Sequence, residues 1–205
     1  KKKKRFKLSD TFTDQYRDKE VPWGPLGYVT FKRTYSRRLN EFHEDATGTE
    51  EWYQTCRRVI EGMFDMQKQH VYRLGLEWND AKAQKTAKDA YDRLFNLKWT
   101  PPGRGLWMMG TKFVNERTAA GLFNCAFRST RELNTKGGYL FSWMMDALML
   151  GIGVGFDTLG AGTLTIEEPE WTQDIYTIPD SREGWVESVE ILLNGSLFGT
   201  KVPKF

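Results

Sequence analysis

The chain has 205 residues, 40% hydrophobic and 14% aromatic, enough for one packed domain with an appended helical part and too apolar for a low-complexity disordered segment. Its formal charge of +3 comes from one end, where Lys1, Lys2, Lys3, Lys4, Arg5 and Lys7 are basic; without them the remainder is mildly acidic. That distribution reads as a solvated basic tail and argues against a nucleic-acid-binding body.

The tail runs into Leu8-Ser9-Asp10 and not into an apolar stretch, so no signal peptide is visible. Residues 8–49 mix turn formers with charges of both signs around one aromatic patch, Val21-Pro22-Trp23-Gly24-Pro25-Leu26-Gly27-Tyr28-Val29. The patch has no sustained period and is expected to be an arm packing across a larger body. Residues 1–49 are therefore assigned to tail and arm.

From Glu50 the pattern changes. Trp52, Cys56, Val59, Ile60 and Met63 recur at helical spacing, and after a break near Asn79-Asp80 so do Ala83, Ala87, Ala90, Tyr91 and Leu94. Two amphipathic helices follow, filling a helical region over 50–99. Cys56 falls on the apolar stripe of the first and is expected to be a small buried hydrophobe. His43 and His70 stand apart from each other and from cysteine, so both are expected at the surface and no metal site is predicted. The two cysteines, Cys56 and Cys125, make neither a CxxC pair nor a disulfide framework, which points to a reducing cytoplasm.

Pro101-Pro102 is expected to stop the second helix and open an irregular loop through Gly103-Arg104-Gly105-Leu106-Trp107-Met108-Met109-Gly110-Thr111. In this stretch Arg104 reads as a surface charge and Trp107, like Trp185 further on, as a core aromatic. Cys125 follows in Leu122-Phe123-Asn124-Cys125-Ala126-Phe127. Residues 139–150 are apolar nearly all round and predict a helix buried on most sides; the apolar run from Tyr139 to Gly155 is interrupted by Asp146 and is too short to span a membrane. Short strands are expected over 154–158, 163–167 and 175–178. Asp180-Ser181-Arg182-Glu183 has the form of a capping box with Asp180 as the cap, opening a helix with Trp185, Val189, Leu192 and Leu193 on one face. Helices first and then strands mixed with helices is an α/β or α+β order, and residues 100–205 form its mixed part.

Gly151-Ile152-Gly153-Val154-Gly155 follows a helix and opens a strand, the reverse of a dinucleotide-binding fingerprint. The glycines fit equally a ligand ring or ribose approaching bare main chain and tight packing of helix on strand. Together with Asn124-Cys125 and Thr100-Pro101 they place a redox-capable sulfur between two glycine-punctuated segments.

These segments resemble the ribonucleotide reductases, and within them the adenosylcobalamin-dependent class II ribonucleoside-triphosphate reductases. The resemblance is carried by Trp23-Gly24-Pro25-Leu26-Gly27-Tyr28-Val29-Thr30-Phe31-Lys32-Arg33-Thr34-Tyr35, Arg58-Val59-Ile60-Glu61-Gly62, Pro102-Gly103-Arg104-Gly105-Leu106-Trp107, Asn124-Cys125, Gly153-Val154-Gly155-Phe156 and Asp180-Ser181-Arg182-Glu183-Gly184-Trp185. It implies an α/β fold in which a helical amino-terminal region is followed by the first strands and helices of a ten-stranded barrel, here incomplete. It implies that Cys125 is one member of the reducing cysteine pair, that Thr100 contacts substrate phosphate and Asn124 stands beside the substrate, and that Gly151, Ile152 and Gly153 line ribose and base by main chain. Asp157 and Thr158 would belong to a loop for a deoxynucleoside triphosphate effector.

The complete enzyme would bind adenosylcobalamin, take a ribonucleoside triphosphate and be re-reduced by a thioredoxin-like protein or a dithiol. The radical-bearing cysteine and the partner cysteine belong to later segments of the family, so a second segment, the carboxy-terminal half, is expected to be required. A class I relative using diphosphates and a non-catalytic nucleotide-binding module are the alternatives. The aromatic arm and the Pro-Gly-Arg-Gly-Leu-Trp segment favour class II.

Overall fold

The computed structural model describes residues 4–42 and 45–205; Lys1, Lys2 and Lys3 of the basic run, and His43, lie outside the described residues. The chain divides into two compact units, the first ending at Leu122 and the second beginning at Phe123.

The first unit is helical: α1 (Asp10–Thr13), α2 (Pro25–Thr34), α3 (Trp52–Arg73), α4 (Asp80–Phe95) and α5 (Gly103–Met108). The expected stripe on α3 is real. Trp52, Cys56, Val59 and Ile60 are buried, and Ala83, Ala87, Tyr91 and Leu94 of α4 are buried in the same core. Alanines at two of those α4 positions leave room for α3's larger side chains. At the start of α3, Gln54 reaches back to accept from the Glu51 N–H at 2.8 Å, and at the start of α4 Asn79 accepts from the Lys82 N–H at 2.9 Å. His70 is exposed in the last turn of α3, as expected.

The arm seals this core. Phe6 and Leu8 are buried while their N–H groups donate to Asp65 and Glu61 of α3, both at 2.9 Å. Buried polar groups find partners: Trp52 Nε1 donates to the Phe95 carbonyl at 3.0 Å, and the Tyr91 hydroxyl to the Tyr53 carbonyl at 2.8 Å. The aromatic patch read as aperiodic runs into α2, whose first position is Pro25. Only Phe31 of α2 is buried, while Leu26, Tyr28 and Val29 are exposed, so burial imposes no period on it. Trp23, just before α2, stacks on Phe31 at 5.4 Å and meets Trp52 at 5.0 Å.

Two further expectations for this unit need correction. The prolines do not stop α4, which ends at Phe95, followed by Leu97 in the left-handed region at φ 54. After them the chain forms α5 and not an irregular loop, because Pro102 has the fixed φ that precedes a helix and its carbonyl accepts from the Gly105 N–H at 2.7 Å. Trp107 is 43% exposed, with Arg37 over its ring at 5.5 Å, and is not a core aromatic.

The second unit is α/β: β1 (Cys125–Arg128), α6 (Leu133–Lys136), α7 (Tyr139–Met149), β2 (Gly153–Phe156), β3 (Trp171–Ile175), α8 (Arg182–Phe198) and β4 (Val202–Lys204). β1 pairs with β2 in parallel, and β3 with β4 likewise, so α7 and α8 each lie within the crossover of a β-α-β unit. Gly138 N–H donates to Asn194 Oδ1 at 2.8 Å, joining the start of α7 to α8.

α7 is buried on most sides, as expected: Leu140, Met144 and Ala147 are buried on one side and Ser142 on the other, the residues between them are half-buried, and the exposed ones, Tyr139, Leu148 and Met149, lie at the ends. The cap of α8 is Ser181, accepting from the Gly184 N–H at 3.1 Å, one residue later than expected. The fully buried residues of α8 are small, Gly184, Ser188 and Gly195; of the expected stripe Val189 and Leu193 are half-buried, whereas Leu192 is exposed and Trp185, 46% exposed, is not a core aromatic. Gly195 lies against the Val202 side chain, which excludes a larger residue there. Of the expected strands, 154–158 overlaps β2, 175–178 meets β3 at Ile175 alone, and 163–167 is not a strand. β1 and β4 carry no alternating pattern long enough to read.

No helix among the described residues is long and apolar enough to cross a membrane.

Candidate functional site

β1 begins at Cys125 and is tied to β2 by the Gly153 N–H donating to the Asn124 carbonyl at 2.9 Å. The parallel register sets Cys125 beside Gly153 and Phe127 beside Gly155. Paired residues share a face, and residues two apart along a strand share it too, so these four positions form one surface. Cys125 and Phe127 are both exposed on it. The opposite surface carries Ala126 and Arg128.

The two glycines leave main chain bare beside the thiol. A Cβ built at Gly153 would meet no atom nearer than the Asn124 carbonyl oxygen at 3.7 Å, and one at Gly155 would touch the Phe127 ring at 3.5 Å, both ordinary contacts. Neither residue has a positive φ. Neither conformation nor crowding within this unit requires glycine at 153, which removes tight packing as its explanation and leaves an open strip of backbone next to a sulfur.

The neighbouring positions divide differently. Gly151 ends α7 at φ 77 and donates to the Leu148 carbonyl at 2.8 Å, a left-handed helix terminus that favours glycine for its own sake. Ile152 is 5% exposed and its N–H is used by the Ala147 carbonyl at 3.0 Å, so its side chain belongs to the core. Of the three residues expected to line a ligand, Gly153 alone combines exposure with unexplained bareness. Asn124 is exposed and directly precedes the thiol.

Thr100 lies in the first unit, exposed between two anchored neighbours. Trp99 Nε1 donates to the Ala90 carbonyl of α4 at 3.1 Å, and Pro101 packs on Gly105 of α5.

Asp157 has a local task. Its carboxylate accepts from Thr130 N–H and Oγ1, both at 2.9 Å, and from the Leu159 N–H at 3.2 Å, while Thr130 Oγ1 accepts from the Gly160 N–H at 2.9 Å. The Thr130 N–H, the Ser129 hydroxyl and these other donors stabilise the charged form and hold the carboxyl at about 2. This network stitches the segment after β2 to the end of β1. Thr158 beside it is exposed. Sequence patterns did not single out Thr130, whose role appears only when residues 27 apart are brought together.

The two cysteines have opposite environments. Cys125 is exposed; Cys56 is buried in the α3 core, and burial pushes its thiol well above the ordinary range, so it stays protonated. Arg128 was also not singled out. Its guanidinium lies over Tyr139 at 5.4 Å and Trp143 at 5.3 Å, with Nε and Nη2 buried and without a hydrogen-bond partner among the described residues. Among those residues no group of His, Cys, Asp and Glu could hold a metal ion.

Comparison with known proteins gives this geometry a context. Residues 8–111 match the family model described as the ribonucleotide reductase alpha domain. The chain is 40% identical over 222 residues to a probable adenosylcobalamin-dependent ribonucleoside-triphosphate reductase of Dictyostelium discoideum, covering 98% of this chain and 29% of that protein. It is 42% identical over 207 residues to the adenosylcobalamin-dependent ribonucleoside-triphosphate reductase of Euglena gracilis, covering 98% of this chain and 28% of that protein. It thus spans less than a third of the length of these relatives. Its fold is similar to a crystal structure of a B12-dependent (class II) ribonucleotide reductase, with a TM-score of 0.74 and 24% identity over 98% of this chain and 35% of that one.

Proposed function

The chain belongs to the ribonucleotide reductase family, and we propose that it supplies one substrate-facing wall of an adenosylcobalamin-dependent ribonucleoside-triphosphate reductase, with Cys125 as one of the two thiols that reduce the ribose. The observation that carries this reading is the exposed Cys125 in register with Gly153, whose bareness nothing within its unit demands. A ribose lying on that strip would bring its 2′ carbon to the thiol.

The proposed reaction balances with two thiols. The 2′-hydroxyl takes a proton and leaves as water, the 2′ carbon gains hydrogen, and two electrons come from two cysteines that end as one disulfide. Cys125 is one of them. Cys56 is excluded as the other, since a buried, protonated thiol in a helical core has neither access nor thiolate character. The second sulfur, the radical-bearing cysteine and most of the substrate pocket would come from the segment corresponding to the rest of the relatives' length. The four strands would be the first of a ten-stranded barrel that the segment completes, with 1–49 as tail and arm, 50–99 as helical support and 100–205 as the catalytic wall.

Adenosylcobalamin, when bound, would supply the radical that starts the chemistry; no described residue is given a part in holding it. Asn124 would contact the substrate beside the thiol and Thr100 its phosphates. Gly151 and Ile152 would contribute main chain, their side-chain positions being set by the fold. The Asp157-Thr158 segment would form part of a deoxynucleotide effector loop, with Thr158 the more accessible of the two. A thioredoxin-like or dithiol reductant in the cytoplasm would reopen the disulfide.

The test is Cys125→Ser in the complete reductase that carries this segment. Substrate binding should remain near normal while multiple turnovers with dithiol disappear. A variant that keeps turning over would remove Cys125 from the chemistry and return the chain to the rank of a nucleotide-binding module.

A further inference from the structure

Arg58 is among the most fully engaged side chains of the first unit. It and Glu50 form an ion pair with side chains only 6% and 3% exposed. Nε and Nη2 donate side-on to the two Glu50 carboxylate oxygens at 2.7 and 2.9 Å. Glu50 also accepts from Thr55 Oγ1 at 2.8 Å and the Arg37 N–H at 3.2 Å, so the carboxylate is held from four directions. The remaining donors of Arg58 go elsewhere: Nη2 to the Leu106 carbonyl at 2.9 Å and Nη1 to the Met109 carbonyl at 2.6 Å. These carbonyls lie at the C-terminal end of α5, where main-chain acceptors are otherwise unmatched and a cation is favourable.

The grip is reinforced by shape. Gly110, at φ 80, lies directly on the main chain of Arg58, and Gly62 of α3 is bare where this turn crosses: a Cβ there would come to 2.6 Å from Gly110 N and 2.7 Å from its Cα. α5 is therefore fixed to α3 at its far end. At its near end it is joined to Thr100 through two prolines, whose φ is locked. Pro101 is seated on α5 itself, since a Cβ on Gly105 would be 2.9 Å from Pro101 Cβ. A displacement of α5 is therefore passed to Thr100.

We infer that Arg58, clamped by Glu50, is a positioning residue that sets Thr100 through α5. The inference rests on the reading of Thr100 as a phosphate contact. A lysine at 58 can pair with Glu50 but cannot also reach two carbonyls in a fixed fork.

The experiment measures KM and kcat for nucleoside triphosphate in the complete reductase carrying Arg58→Lys, Gly62→Ala, Thr100→Val, and each of the first two combined with the third. Thr100→Val should raise KM about tenfold, the usual weight of one hydrogen bond to a charged group. Arg58→Lys and Gly62→Ala should each raise KM several-fold with a much smaller fall in kcat. Neither should add to the effect in the Thr100→Val background, because both act through the same hydroxyl. A general loss of packing would instead reduce active enzyme without changing KM and would add to Thr100→Val.

Gly62→Ala forces the Gly110 main chain to shift without removing either partner of the ion pair, so it displaces the same turn independently of Arg58→Lys, and either variant alone, once folded, carries the test. An unchanged KM in the folded variants, or additive effects, would overturn the inference. An unchanged KM in Thr100→Val alone would overturn the phosphate reading on which it rests.

Discussion

Gly153→Ala separates a ligand-facing glycine from a structural one. The added methyl would sit 3.7 Å from its nearest neighbour, in a strand whose φ any residue adopts. Within the chain it meets no steric penalty, and the loss of glycine's freedom in the unfolded state should stabilise by about 0.4–1 kcal/mol. For a ribose in contact with the main chain, the methyl occupies the space of the ligand itself. A displacement near 1 Å at a reacting centre lowers the rate roughly a hundredfold, equivalent to about 2.8 kcal/mol of lost transition-state stabilisation.

The signs of the two effects are therefore opposite. Gly151→Ala is the matched control: at φ 77 a side chain costs about 1–2 kcal/mol of stability. Denaturant melts of the chain and kcat/KM in the complete reductase measure both quantities. Gly153→Ala should melt no earlier than the parent and lose most of its kcat/KM, whereas Gly151→Ala should melt earlier. If Gly153→Ala were destabilised by more than 1 kcal/mol and kept its kcat/KM, the glycine would be structural and the bare-backbone argument wrong.

Asp157, held at about 2 by its hydrogen bonds, contributes stability that is present above the ordinary carboxylate range and lost as pH falls through its folded value. The protection of the Thr130 and Leu159 amides, measured against the intrinsic exchange rate at each pH, should therefore fall on acidification from about pH 4 towards 2, and Asp157→Asn should lose that acid dependence; protection indifferent to pH in this window would contradict the network. The thiols should react unequally in the native chain, with Cys125 alkylated rapidly and Cys56 only on unfolding. Because burial raises the Cys56 thiol, its contribution to stability is full below about pH 8.5 and declines above it. Equal native reactivity of the two cysteines would refute the burial assignment.

What could be read from the residues follows from how much each element depends on burial. α3 and α4 carry long apolar stripes because each presents one face to a shared core, and their buried residues match those stripes. α2 and α5 bury one or two apolar residues each, so neither leaves a period, although Pro25 and Pro102 mark their starts. α8 packs most closely through Gly184, Ser188 and Gly195, while its large side chains divide between exposed, Trp185 and Leu192, and half-buried, Val189 and Leu193, so the stripe does not mark its core face. β1 and β4 are four and three residues long and take their identity from parallel pairing across a helix.

The candidate site shows the same division. Asn124, Cys125 and Gly153 are adjacent through the strand register, which no local pattern encodes, while the resemblance to the reductases had drawn them together. The structure distinguishes Gly153 from Gly151, a difference of backbone conformation that two glycines two residues apart cannot display in sequence. Asp157, expected in an effector loop, is engaged by Thr130, a long-range partner without a motif.

The most direct measurement of the central claim is disulfide mapping after one turnover. The complete reductase is fully reduced, freed of dithiol, given ribonucleoside triphosphate and adenosylcobalamin, quenched with an alkylating reagent in denaturant and digested for mass spectrometry. The peptide carrying Cys125 should be recovered in a disulfide with a cysteine outside this chain, in proportion to deoxynucleotide formed, and Cys56 should be recovered alkylated. Deoxynucleotide formed while Cys125 remains an alkylated free thiol would contradict the account.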